Sequence, residues 1–139
     1  MIKKIVVSLM LLSVIASAAS VQWEKDLQSA VAKGKKLHKP VMLVVSRDGC
    51  GWCDRFRAGT LSNPEVVKKL NSDFISFEGH TNRGNVPREL YTNGTPGTWF
   101  LKEGEPMFQP MMGAQPAPNF LEALNIVLAE FQKSAQVKK

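Results

Sequence analysis

Cys50 and Cys53 are the chain's two cysteines, placed three positions apart as Cys50-Gly51-Trp52-Cys53. On a helix this spacing returns the second sulfur to the side of the first, within reach of a disulfide at little backbone strain. The chemistry on offer is a dithiol and a disulfide interconverting by thiolate attack. As a structural staple the bridge would contribute little, because it closes a tiny loop and the entropic benefit grows with loop length. A zinc centre needs about four ligands, and the chain supplies two Cys and two His, His38 and His80. Cys50 and Cys53 with His80, Met111 or Met112 would make a soft set suited to copper(I), which leaves a metal-delivery module as an alternative reading. Haem attachment fails, since Asp54 and not His follows Cys53. The site is expected to hold no metal and no cofactor, the sulfur pair being its own redox group.

The segments around the pair are those that would position it. Val41-Met42-Leu43-Val44-Val45 is an unbroken apolar run, which suits a strand buried on both faces of a sheet. Arg47, Asp48 and Gly49 turn the chain. A helix starting at or just after Cys50 would set that sulfur against unsatisfied backbone N–H groups and the positive end of the helix dipole, favouring thiolate over thiol.

Before the strand, Trp23, Leu27, Ala30 or Val31, Gly34 and Leu37 recur at helical spacing and predict an amphipathic helix ending near Gly34 to His38. His38, at its Lys-rich end, reads as surface. After the cysteines, Gly59 should interrupt the helix, and Ser62-Asn63-Pro64-Glu65 starts another, capped either by Ser62 with Glu65 or by Asn63 with Pro64 first. Phe74 to Phe77 predicts a short strand, Glu78 to Val86 a loop, and Pro87 to Tyr91 a turn of helix. Thr98 to Leu101 and Met107 to Met112 predict a hairpin turning at Gly104. Phe120, Leu124, Val127, Leu128 and Phe131 form a helical stripe that needs a sheet to pack on. Trp52 is expected at the surface and Trp99 in the core; both could wall the reactive sulfur.

At 139 residues and 44% hydrophobic content the chain has room for one domain. Lys3 and Lys4 precede an apolar segment, Ile5 to Ile15, and then small residues up to Ser20, the layout of a secretory signal peptide. Residues 1–19 are therefore expected to be removed and residues 20–139 to form the domain. That implies a periplasmic or otherwise exported protein, with no stable membrane anchor after cleavage. Outside the cytosol thiols tend to be oxidised, so a lone CxxC is a redox pair by default. The formal charge is +6, or +4 without Lys3 and Lys4. The lysines are scattered without interleaved aromatics, which gives no support for nucleic-acid binding.

Helix, strand, CxxC helix, strand, Thr95-Pro96, hairpin and helix, in that order, resemble the thioredoxin fold: an α/β domain whose central mixed sheet of about four strands is flanked by helices. The likeness runs from about Trp23 to Phe131. It rests on Cys50-Gly51-Trp52-Cys53 after a buried strand and Thr95-Pro96 before a later one. Thr60-Leu61-Ser62-Asn63-Pro64-Glu65-Val66 is similar to a segment of small exported thioredoxin-like proteins, and Gly94-Thr95-Pro96 to the triplet of exported disulfide isomerases. The resemblance implies a protein-disulfide oxidoreductase, a reductase rather than an oxidase. Cys50 would be the exposed nucleophile and Cys53 the buried resolving thiol. Pro96 would be cis beside the disulfide, with Thr95 offering its backbone, and Trp52 an apolar surface, to client proteins. Exported proteins with cysteines or disulfides, and a membrane or periplasmic electron-transfer protein, would be the partners. A thioredoxin-like binding protein whose disulfide never turns over is a further alternative. Two departures stand out. Thioredoxin has a buried Asp where this chain has Val44, which leaves proton handling to water, Glu78 or Asp48. The dipeptide between the cysteines is Gly-Trp, so thioredoxin's reduction potential does not transfer.

Overall fold

The computed structural model describes residues 19–137; residues 1–18, nearly all of the segment expected to be a signal peptide, lie outside the described residues. Four α-helices surround one five-stranded sheet. In chain order these are α1 (Leu27–Leu37), β1 (Val41–Ser46), α2 (Gly51–Ala58), α3 (Pro64–Asp73), β2 (Ile75–His80), β3 (Gly97–Lys102), β4 (Glu105–Pro106), β5 (Met111–Met112) and α4 (Ala117–Gln136). Strand order is β2-β1-β3-β4, with β5 also on β3. β1 runs parallel to β2 and antiparallel to β3. This is the thioredoxin-like arrangement; the sheet has five strands rather than about four because the returning arm of the hairpin is broken into two short pieces.

All six residues of β1 are buried. Successive side chains leave a strand on opposite faces, so Val41, Leu43 and Val45 pack with Ala30 of α1, while Met42 and Val44 pack with Phe56 of α2 and Phe120 of α4. The absence of alternation in the sequence thus reflects two separate cores. Phe56 and Phe120 meet edge to face at 5.3 Å, and Phe120 lies 6.4 Å from Phe100. This aromatic cluster seats the cysteine helix on the sheet.

The helix boundaries follow local chemistry. Asn63, not Ser62, caps α3: its side chain accepts from the Glu65 and Val66 N–H groups, with Pro64 first in the helix. Ser62 instead donates to the Arg57 carbonyl. Asp26 caps α1 by accepting from Ser29 N–H. Trp23 therefore lies before the helix, in a bridge to Ser76 on the outer edge of β2, and is not part of the helical stripe. β2 runs on to His80, through residues that read as loop because polar groups alternate there. The expected turn of helix after Pro87 is a 3-10 turn over Arg88–Leu90.

Candidate redox site

Cys50 is the N-cap of α2, in extended conformation, and Cys53 is in the first turn. The two are joined in a disulfide with their Cα atoms 5.3 Å apart. The Cys53 N–H donates to Cys50 Sγ at 3.1 Å, so one orphan donor of the helix end is spent on that sulfur. Gly49, at φ 75°, makes the left-handed turn that brings the chain from β1 into the helix. Cys50 is half-buried, whereas Cys53 is 3% exposed beneath it. An attacking sulfur can therefore approach one cysteine and not the other.

The second segment arrives from β3. The Thr95–Pro96 peptide is cis. The Thr95 hydroxyl donates to Cys50 Sγ at 3.3 Å, and the Thr95 carbonyl oxygen lies 3.5 Å from the same sulfur. Behind the proline, Gly113 N–H donates to the Pro96 carbonyl at 2.8 Å, and Met111 and Met112 pair with Thr98 and Gly97. Pro96 is buried and Thr95 half-buried. The structure thus gathers Cys50, Cys53, Thr95 and Pro96 in one place.

The two tryptophans part company. Trp52, between the cysteines, is 61% exposed with the Arg55 guanidinium 4.7 Å over its ring. Trp99 packs with the core on the α1 side of the sheet and donates its indole N–H to the Leu90 carbonyl at 2.7 Å. It cannot wall the disulfide, because its position in β3 sends it to the face opposite α2. His80, considered as a metal ligand, turns Nε2 toward Glu78 and Asp48. His38 is the exposed left-handed C-cap of α1. Among the described residues no three His, Cys, Asp or Glu side chains group as a metal site, and no helix is long and apolar enough to cross a membrane.

Of the charged surroundings of the pair, Asp48 and Glu78 were named from the sequence as proton carriers, and the arginines that hold them were not. Asp48, two residues before Cys50, receives both Arg83 Nε at 2.9 Å and the Asn82 amide at 2.9 Å, and its own N–H donates to Asn82 at 3.0 Å. These bonds lower the Asp48 pKa to about 2, the Arg83 hydrogen bond being the main cause. Asp48 is thereby a fixed anion at neutral pH, which removes it as a carrier of protons. Arg57 binds Asp54 and Glu78, and its own pKa is raised, chiefly by the Glu78 hydrogen bond. The signal available in the sequence was Glu78-x-His80, two polar groups on one face of a strand.

A family model described as a thioredoxin-like domain matches residues 25–128. Among solved structures, a thioredoxin from Thermus thermophilus superposes with a TM-score of 0.67 at 25% identity, covering 78% of this chain and 87% of that one. The C-terminal domain of DsbD from Neisseria meningitidis, in its reduced form, does so with 0.58 at 27%, covering 71% and 91%. The thioredoxin-related protein DsbJ of Chlamydia pneumoniae is 32% identical over 60 residues, 42% of this chain. The chain spans only 17% of DsbJ, and 7% of rat spermatogenesis-associated protein 20, which is 36% identical over 56 residues. With the strand order, the helix-capping cysteine pair and a family match over most of its length, the chain belongs to the thioredoxin-like domain family.

Proposed function

We propose that the protein is an exported thiol–disulfide oxidoreductase that reduces disulfides in protein clients. The observation that carries this reading is the placement of Cys50 Sγ: reachable, at a helix N-terminus, and facing the Cys53 N–H and the Thr95 hydroxyl, both of which stabilise negative charge on sulfur. The Cys50 thiolate attacks one sulfur of a client disulfide, forming a mixed disulfide and expelling the other client sulfur as thiolate. Cys53 then attacks Cys50 Sγ, closes the internal disulfide and frees the second client sulfur. Thr95, with Pro96 buried behind it, lines the approach, and Trp52 offers an apolar contact to extended segments. An electron-transfer protein outside the cytosol would return the disulfide to dithiol, and the leader over residues 1–19 would direct export.

Likeness to a thioredoxin supports the reducing direction. The donors around Cys50 favour the second reading, an oxidase or isomerase, because stabilising the reduced form raises the potential. Equilibration of the Cys50–Cys53 pair against glutathione decides between them, alongside insulin reduction and oxidative refolding assays. A potential near thioredoxin's, about −270 mV, supports the reductase; one nearer −120 mV replaces it with the oxidase. Absence of turnover in both assays would leave a binding protein with an inert disulfide.

A further inference from the structure

On the α2 face of the sheet lies an open cavity of about 350 Å³ whose wall includes Gly49 and Asp54, the chain neighbours of Cys50 and Cys53, together with Arg57, Glu78 and His80; neither cysteine lines it. Val44 pairs with Glu78 and Ser46 with His80 in the β1–β2 register, so these four side chains share the face that α2 covers. The His80 ring is 13% exposed. Its Nε2 stands 3.4 Å from Glu78 Oε1 and 3.9 Å from Asp48 Oδ1, while Nδ1 is buried with no hydrogen-bond partner. A buried ring nitrogen left unpaired inside a charged cluster is costly.

The groups around that ring come from every element that packs on it. Asp48 is on the β1–α2 turn, with Arg47 lining the same cavity; Asp54 and Arg57 are on α2; Glu78 is on β2; Arg83 follows β2. Five of these are joined by ion pairs, Asp48 with Arg83, and Asp54 and Glu78 with Arg57. Arg47 on the same wall offsets the one negative charge these five leave, so what would hold an imidazolium at His80 is the nearness of two carboxylates, Glu78 and Asp48, and not a net charge. Asp48 and Asp54 also bracket the cysteines in the chain, and Arg57 lies one helical turn beyond Cys53. Asp48, two residues before Cys50 and 3.9 Å from the His80 ring, and Asp54, next to Cys53, are the charged groups through which a charge on the sulfurs and one on the ring would act on each other.

We propose that His80 is the protonation partner of the Cys50–Cys53 pair, supplying from the neighbouring strand the proton exchange for which Val44 has no group. This rests on the exchange chemistry proposed above. Reduction of the disulfide takes two electrons and two protons from a donor dithiol, which leaves as its own disulfide. Cys53 keeps one proton as a thiol, His80 holds the other as imidazolium, and Cys50 stays a thiolate. His80 acts through the cavity and its charges rather than by touching sulfur, and is a positioning residue.

The test is NMR titration of the imidazoles in the full chain, oxidised and then reduced with dithiothreitol, with exposed His38 at the far end of β1 as internal control. His80 should titrate at higher pH in the reduced protein while His38 titrates alike in both states. In His80→Gln, the break that His80 imposes on the potential-versus-pH curve should vanish. Identical His80 titrations in both redox states would overturn the inference, whether or not the variant folds. Superimposable potential curves for wild type and variant would overturn it too. If the NMR shift is seen but neither insulin reduction nor oxidative refolding is catalysed, the coupling stands and the proposed activity falls.

Discussion

The Thr95 hydroxyl stands 3.3 Å from the Cys50 sulfur, although 45 positions separate the two residues. Only the pairing of β1 with β3 brings them together, since one strand leads into Cys50 and the other begins just after Pro96. A hydroxyl aimed at sulfur stabilises a thiolate more than a thiol, because hydrogen bonds to ionised groups are the stronger ones. Thr95→Val keeps the shape and removes the donor. We expect the Cys50 pKa in the reduced protein to rise by about one unit, read from the pH dependence of its alkylation; an unchanged profile would deny the hydroxyl this role.

The exposure difference between the cysteines predicts different variants. Cys53→Ala should leave Cys50 able to attack and unable to be released, accumulating client proteins as mixed disulfides on non-reducing gels. Cys50→Ala should accumulate none and lose exchange activity. Trapping by both variants alike would show that Cys53 is also reachable.

Asp48 makes an acid-stability prediction. Its folded pKa is held near 2 while an unfolded Asp titrates near 3.9. Its contribution to stability is therefore present above pH 4 and is lost as the pH falls through 2. In Asp48→Asn, Tm should be lower than wild type at neutral pH, and the difference should shrink on acidification across that window. A constant difference down to pH 2 would mean that the Arg83 and Asn82 bonds are not what the carboxylate supplies.

Two glycines near the site should respond oppositely. A Cβ on Gly97 would fall 2.5 Å from the Thr92 hydroxyl and methyl, directly behind Pro96. Gly97→Ala should cost about 1 to 3 kcal/mol through overpacking. At Gly51, first residue of α2, a Cβ meets nothing within 4 Å, and Gly51→Ala should be neutral or stabilise by about 0.5 to 1 kcal/mol. Chemical denaturation of both, at constant m-value, checks the pair.

Trp52 is a surface residue held by Arg55 rather than by a core. Trp52→Ala should change folding stability by no more than about 0.5 kcal/mol and raise KM for protein clients severalfold without a matching effect on a small disulfide. An equal loss on both substrates would assign Trp52 to the chemistry instead of to docking.

How much was legible in the chain varied with the range of the forces involved. The interruption at Gly59 and the helix start at Cys50 depend on neighbours within four residues, and the sequence carries them openly; at α3 it offers both Ser62 and Asn63 as the cap, and the folded chain uses Asn63. Trp23 reads as helical because its spacing to Leu27 is right, yet Asp26 starts the helix after it and Ser76 claims its backbone. Trp99 is apolar and strand-borne, which says nothing about which face it takes; pairing with Leu43 decided that. Glu78 and His80 look like the beginning of a loop, since polar residues mark loops only when no charged partner waits on an adjacent helix.

From its sequence alone this protein is a redox pair at a helix tip, because cysteine spacing, the preceding apolar run and the turn at Gly49 are local facts with local consequences. What tertiary structure alone decided is the surroundings of those sulfurs: a hydroxyl from Thr95, an imidazole at His80, and two arginines that hold the nearby carboxylates. Thr95, His80 and Arg83 come from segments about 30 to 45 residues from Cys50, while Arg57 reaches Glu78 from the cysteine helix itself. They act through charge and hydrogen bonding over a few ångströms, a range that means nothing until the sheet has set its register.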